Sequence, residues 1–183
     1  MAEAARRDAL SLAAHTHATV TPLSACSRFV LRGRAPALAA AGAAFGVPLP
    51  REACRAAVVE ERAALWLGPD EILLLAPEAE RDAVAGALHA ALTGLPHALV
   101  DVGHRSAALE VAGPGAAFLL NAACPLDLGT AAFPAGMCTR TVLGKCEILL
   151  WRVDAARFRL EAMRSYADYV WRLLEQARRD WTG

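Results

Sequence analysis

The chain has 183 residues, of which 56% are hydrophobic and 21% charged, with 19 basic side chains balanced by 19 acidic ones. Such a composition supports a sizeable buried core and excludes a disordered polypeptide, and the zero formal charge removes the long-range attraction that nucleic acid or an anionic membrane surface needs. Lys145 is the only lysine, so the cations are of the kind that pairs bidentately with carboxylates and suits interfaces.

Residues 1–27 mix Ala, Arg, His and Thr without a sustained period and are expected to form an N-terminal arm that docks on something else. From Arg28 the pattern alternates. "RFVLRG" predicts a strand and "APALAAAGAAFG" an alanine-rich helix that ends at Gly46. "CRAAVVEE", "ALWLG" and "EILLLA" predict strands, the last two joined by a turn from Gly68 to Glu71. "PEAERDAVAGALHAALTG" predicts a helix: Pro77 opens it, Glu78 and Glu80 suit its first turn, Val84, Leu88 and Leu92 share a face, and Gly94 stops it.

The second half follows the same order. "HALVDVG" and "SAALEVAG" predict strands, "PGAAFLLNAA" a helix opened by Pro114, and "CTRTVLG", "CEILLWRV" and "RFRLEAM" three further strands. In "SYADYVWRLLEQARRDW" Ser165 and Asp168 have nearly the spacing of a capping box. Tyr166, Tyr169, Val170, Leu173, Leu174 and Ala177 predict an apolar face too wide to be only half buried. Leu31 lies over Val111, Leu88 over Leu174 and Pro48 over Pro125, an offset of about 80 residues that drifts as loops change in a duplicated α+β unit. The expectation is a single domain over 1–183, with pseudo-repeats at 28–103 and 104–183 behind the arm.

Five cysteines, an odd number without a C-x-x-C pair, fit reduced thiols better than a disulfide framework. No apolar run reaches the roughly 20 residues of a spanning helix, and the N-terminus has no signal-peptide core. A soluble, cytoplasmic protein is expected. The mean hydropathy of +0.31 points to apolar surface that a partner covers.

Candidate chemistry is sparse. Cys124, Cys138 and Cys146 with His104 do not have the spacing of a compact zinc site, so no metal is expected. Cys124 has no nearby base, and a helix C-terminus has the wrong sign to activate a thiol. Asp101, His104 and Arg105 in "VDVGHR" fit either a binding patch or a set of residues that satisfy one another where two strands meet. No phosphate-loop or dinucleotide fingerprint is present. Trp66 and Trp151 read as core; Trp171, Arg172, Arg178 and Trp181 have the composition of an interface anchor. These residues define no self-contained active site.

The segments "ALWLGPDEILLLAP", "LVDVGHRSAALEVAGPGAAFLL", "CPLDLGTAAFPAGMCTRTVLGKCEILLWR" and "RFRLEAMRSYADYVWRLLEQA" together resemble the gamma subunits of heterotetrameric sarcosine oxidases. "VDVGHRSAALEVAGPGAAFLL" is also similar to a run in the folate-binding aminomethyltransferases. The resemblance implies an α+β fold of duplicated β-α-β-β-α units like the aminomethyltransferase folate-binding domain, with mostly antiparallel sheets and helices packed on them. It places Asp127 at a position used by folate enzymes. That position counts as a relic, because the acidic pair of those enzymes is replaced by "GKCEILLW". The implied role is a non-catalytic subunit of a complex that demethylates sarcosine oxidatively to glycine, with tetrahydrofolate as one-carbon acceptor or formaldehyde released, and hydrogen peroxide formed. FAD, FMN, NAD and zinc are then expected in the other subunits and no cofactor in this chain. Alpha, beta and delta subunits are the expected partners, and the isolated chain is expected to be able to self-associate. Two alternatives are a stand-alone folate-dependent one-carbon protein that uses Asp127, and a folate-related accessory protein of iron–sulfur assembly. Lys145-Cys146 lacks the intervening glycine that marks the last group.

Overall fold

The computed structural model describes residues 17–180. In chain order they form β1 (Thr19–Pro22), β2 (Cys26–Gly33), α1 (Ala35–Phe45), β3 (Ala56–Val59), β4 (Arg62–Gly68), β5 (Glu71–Pro77), α2 (Arg81–Leu92), β6 (His97–Asp101), β7 (Ser106–Ala112), α3 (Ala116–Asn121), β8 (Cys138–Leu143), β9 (Cys146–Arg152), β10 (Arg157–Met163) and α4 (Ala167–Arg179). Single 3-10 turns at Glu78–Glu80 and Arg164–Tyr166 lead into α2 and α4. The strands make two antiparallel five-stranded sheets with matching orders, β3-β4-β5-β2-β6 and β8-β9-β10-β7-β1.

Side-chain alternation along the strands sets the layers. On one face of the first sheet Phe29, Leu31, Ile72 and Leu74 pack against Phe45 of α1 and Val84, Leu88 and Leu92 of α2. Leu65, Leu73 and Leu75 point the other way and meet Cys138, Leu149 and Trp151 of the second sheet. The second sheet's outer face carries Val111, Leu150, Phe158 and Leu160 under Leu119 and Leu120 of α3 and Val170 and Leu174 of α4. The result is four layers, helix–sheet–sheet–helix. Strand β5 is buried on both faces over Glu71–Ala76, so "EILLLA" is a continuous apolar run instead of an alternating one.

The two units, β2-α1-β3-β4-β5-α2 and β7-α3-β8-β9-β10-α4, are related by a local twofold visible in the backbone bonds. Arg55 faces Met137 in an isolated antiparallel bridge. Ala56 N–H donates to the Gly136 carbonyl at 2.8 Å, and its counterpart Cys138 N–H donates to the Cys54 carbonyl at 2.9 Å. Trp66 N–H to Arg55 O and Arg152 N–H to Met137 O form a second matched pair, and Gly33 to Asp70 and Gly113 to Ala156 a third. Leu31 and Val111, paired by the sequence offset, are both wholly buried, as are Leu88 and Leu174 to within one per cent. Gly113, at φ 117°, lies so close to the preceding chain that a Cβ there would stand 2.3 Å from the His17 carbonyl oxygen.

One feature of the duplication is absent from the sequence pattern. Strand β1 runs into β2 but pairs with β7, and β6 runs into β7 but pairs with β2. Each unit therefore lends its leading strand to the other sheet. Of the arm expected over 1–27, residues 19–22 make that edge strand, and residues 1–16 lie outside the described residues.

Two expectations for the last helix are corrected. Ser165 sits inside the 3-10 turn, and Tyr166 at the N-cap of α4 makes no side-chain capping bond. Asp168 instead pairs with Arg172 one turn on. The apolar face is also narrower than expected: Val170 and Leu174 are buried and Leu173 and Ala177 pack partly buried on the same core, while Tyr166 and Tyr169 remain exposed.

Candidate functional site

The local twofold that runs through the Arg55–Met137 bridge also passes through a cavity of about 460 Å³. Its walls are twofold mates: the lead-in to β2 (residues 22–28) faces the lead-in to β7 (residues 103–109), and the start of α2 faces the start of α4. The exchanged strands create this geometry, since each lead-in must cross from one sheet to the other. Both halves of the chain are needed to build the site.

Its floor is ionic. Arg28 of β2 donates to Glu161 of β10 through Nε at 2.8 Å and Nη2 at 3.4 Å, and through Nη1 to the Cys26 carbonyl at 3.0 Å. Arg159 donates to the same carboxylate at 2.9 and 2.7 Å and to the Cys26 Sγ at 3.1 Å. The Arg28 and Glu161 side chains are only 4% and 5% exposed, so each survives burial by its partner. Burial pulls the Arg159 pKa down, but Glu161 and Cys26 outweigh it and hold the guanidinium more firmly charged than usual.

Asp101 holds two residues that do line the cavity, Arg81 and Gly103. It accepts Arg81 Nε at 2.8 Å, Arg81 Nη2 at 2.6 Å and the Gly103 N–H at 2.8 Å. Partial burial works to raise its pKa, yet the Gly103 bond and the Arg81 guanidinium prevail and hold the carboxyl below its ordinary value. The residues of "VDVGHR" do not satisfy one another beyond that turn; the arginine on Asp101 is Arg81 from the first half, not Arg105. His104 and Arg164 both line the cavity, their segments joined by the Arg164 N–H bond to the Arg105 carbonyl at 2.8 Å. Arg164 escaped the sequence reading because it lies beside the supposed cap of the last helix.

A second ionic cross-link ties the sheets together. Glu71, with its side chain 8% exposed, accepts Arg140 of the opposite sheet and Arg32 of its own, each at 2.5 Å. The Arg140 bond, with help from Arg32, overcomes burial and lowers the Glu71 pKa.

The remaining sequence candidates are dispersed. Asp127 is exposed, and its Oδ1 accepts the Gly129 N–H at 2.8 Å in an Asx turn. The loop around it is pinned from below. Arg152 is buried and donates to the carbonyls of Leu128 and Phe133 at 3.0 and 2.8 Å, and it stacks over Phe158. Cys124 and Cys146 belong to the helix-side core of the second unit, whereas Cys138 lies between the sheets, where burial pushes its pKa up to about 12. Trp151 is buried between the sheets and Trp66 is half-buried. Trp171 is half-buried against the second-unit core and lines the cavity. Arg172 pairs with Asp168, and Arg178 pairs with Glu175 at 3.0 and 2.9 Å. Trp181 lies outside the described residues.

Fold and relatives agree on what class of protein this is. The architecture is shared with the glycine cleavage system aminomethyltransferase T from Bartonella henselae, at TM-score 0.64 over 90% of this chain and 48% of that one; at 16% identity the likeness is one of fold. It is shared far more fully, at TM-score 0.87 and 30% identity over 96% of this chain and 93% of that one, with a chain of the heterotetrameric sarcosine oxidase from Corynebacterium sp. U-96. The chain thus has the α+β fold found in that aminomethyltransferase. Residues 32–180 match the Sarcosine oxidase, gamma subunit family, and the chain belongs to that family. It is 42% identical over 115 residues to the sarcosine oxidase subunit gamma of Arthrobacter sp., and 35% identical over 133 residues to that of Corynebacterium sp. strain P-1. The matched stretches span 62% and 72% of this chain but 56% and 64% of those relatives' lengths.

Proposed function

We propose that the chain is a non-catalytic gamma subunit of a heterotetrameric sarcosine oxidase. In this reading it supports the oxidative demethylation of sarcosine to glycine with tetrahydrofolate as one-carbon acceptor. Alpha, beta and delta subunits are its partners, and they carry FAD, FMN, NAD and zinc. The observation that carries the reading is the state of the polar side chains. Glu161, Asp101 and Glu71 are each held by arginine, Asp127 closes its own turn, and Cys124, Cys138 and Cys146 are buried in apolar clusters. They brace the fold instead of standing poised to react. No described helix is long and apolar enough to cross a membrane.

The test is co-expression of this chain with the two large flavoprotein subunits and the small zinc subunit. The expected result is one complex containing all four chains, with lower yield or stability when this chain is left out. Assembly and sarcosine turnover that are unchanged without it would overturn the reading. A titration of the isolated chain with tetrahydrofolate is expected to show no binding that depends on Asp127; binding lost in Asp127→Asn would favour the stand-alone folate protein instead.

A further inference from the structure

We propose that the cavity on the local twofold is a binding site for a small organic monocarboxylate with a planar apolar body. The inference goes beyond the subunit role and does not require it, because the site is built entirely from this chain. A cavity of about 460 Å³ suits a single-ring ligand. Much of its wall is apolar: Leu23, Ala108 and Leu109 line it together with the half-buried Trp171, a side chain of the kind that packs well on a ring.

The charge left over in the cavity is positive. Of the acids around it, Asp101 is held by Arg81, Glu161 by Arg28 and Arg159, Asp168 by Arg172, and Glu78 faces Arg81 at 3.5 Å. Arg164 differs. Among the described residues its guanidinium has no hydrogen-bond or ion-pair partner, and the ring of His104, which also lines the cavity, has no hydrogen-bond partner. An unpaired guanidinium in the lining of a largely apolar cavity is suited to a bidentate carboxylate, and His104 in the same lining is a candidate second donor. Divergence of the duplicated halves made the site one-sided. Arg164 opens the 3-10 turn after β10 where Glu78 opens the turn after β5, so the cation stands on one side of the axis and the acid on the other.

The experiment is a titration of the isotope-labelled full chain with benzoate, read by amide and indole chemical shifts. Benzamide serves as the uncharged probe of the same shape. Expected are saturable shifts centred on Trp171 and the 103–109 lead-in, with benzamide weaker by about tenfold or more. Arg164→Gln should weaken benzoate by a similar factor, and His104→Gln by about threefold. Lys145→Gln, which removes an exposed charge away from the cavity, should leave binding unchanged. Arg164 is on the surface and unpaired, so its variant keeps the fold, which the same spectra verify. The absence of saturable shifts up to about 10 mM benzoate, a weak-binding limit, would overturn the proposal. So would equal binding of benzamide, or binding untouched by Arg164→Gln.

Discussion

The two units meet on the local twofold in two ways. At the Arg55–Met137 bridge they close backbone to backbone, and beside it Leu65, Leu73, Leu149, Trp151 and Cys138 interdigitate without a charge among them. At the cavity end the same two sheets meet through the ionic cluster of Arg28, Glu161 and Arg159. One contact relies on area removed from water, which tolerates small changes of shape. The other relies on charges that have left water and depend on each other entirely. A duplicated fold needs only the first kind to hold its halves together. The second ties β2 of one sheet to β10 of the other at the end where Arg28 and Cys26 line the cavity.

The sharpest way to break this contrast is Glu161→Ala, which leaves the buried Arg28 guanidinium and the half-buried one of Arg159 without their carboxylate. It should cost about 3–5 kcal/mol in unfolding free energy, read from the denaturant midpoint. Replacing the cluster as a whole, Arg28→Met with Arg159→Leu and Glu161→Leu, should cost far less or even stabilise, because no unpaired charge remains. If the single variant proves as mild as the triple one, the ionic cluster is not what holds that end. At the bridge end Leu65→Ala should cost about 2–4 kcal/mol through lost burial and a cavity. Its penalty should not change with pH between 4 and 8, a range spanning roughly the carboxylate and histidine titrations.

Glu71→Gln is the next smaller step. It should cost about 1–2 kcal/mol at neutral pH, since both arginine partners keep access to water. Its pH dependence has a definite sign. The folded-state pKa of Glu71 is lowered, so its stabilisation is complete above the unfolded carboxylate value and is lost as pH falls through the folded one. The gap between wild type and variant should therefore be widest near neutrality and close in acid. A gap that widens in acid would contradict the assignment of Arg140 and Arg32 as its partners.

How far the sequence foretold this structure depends on the range over which each feature is decided. The helix around Val84, Leu88 and Leu92 and the strand "EILLLA" were legible because periodicity and turn residues are local. The duplication was legible because buried positions such as Leu31 and Val111 recur at nearly constant offset. The exchange of β1 and β6 was not. Thr19–Pro22 is four residues of mostly exposed strand, and nothing within them names β7 as partner. Nor could the cavity be read. Arg28 and Glu161 lie 133 positions apart, and the sequence holds many arginines and glutamates that could have paired. Arg164 was visible only as the residue before a supposed cap, and Asp127 drew attention by motif while its carboxylate was already committed to Gly129. The last helix misled because its tyrosines count as apolar in a pattern, yet their polar tips allow them to stay at the surface.

Thiol chemistry separates the two meeting places without altering stability. Cys26 belongs to the ionic one. It is half-buried and lines the cavity with its sulfur against Arg159, so a small reagent can reach it from the cavity. Cys138 belongs to the apolar one. It is wholly buried, donates to the Trp66 carbonyl at 3.6 Å, and burial pushes its pKa up to about 12. Native protein treated with iodoacetamide near neutral pH should therefore be alkylated at Cys26 and at the half-exposed Cys54 well before Cys138. Peptide mass mapping over time would give the order. Cys138 should react only on the timescale of global opening, because reaching it requires the two sheets to part. Early labelling of Cys138 with Cys26 untouched would mean that the bridge opens before the cavity does, and that the apolar contact is the weaker of the two.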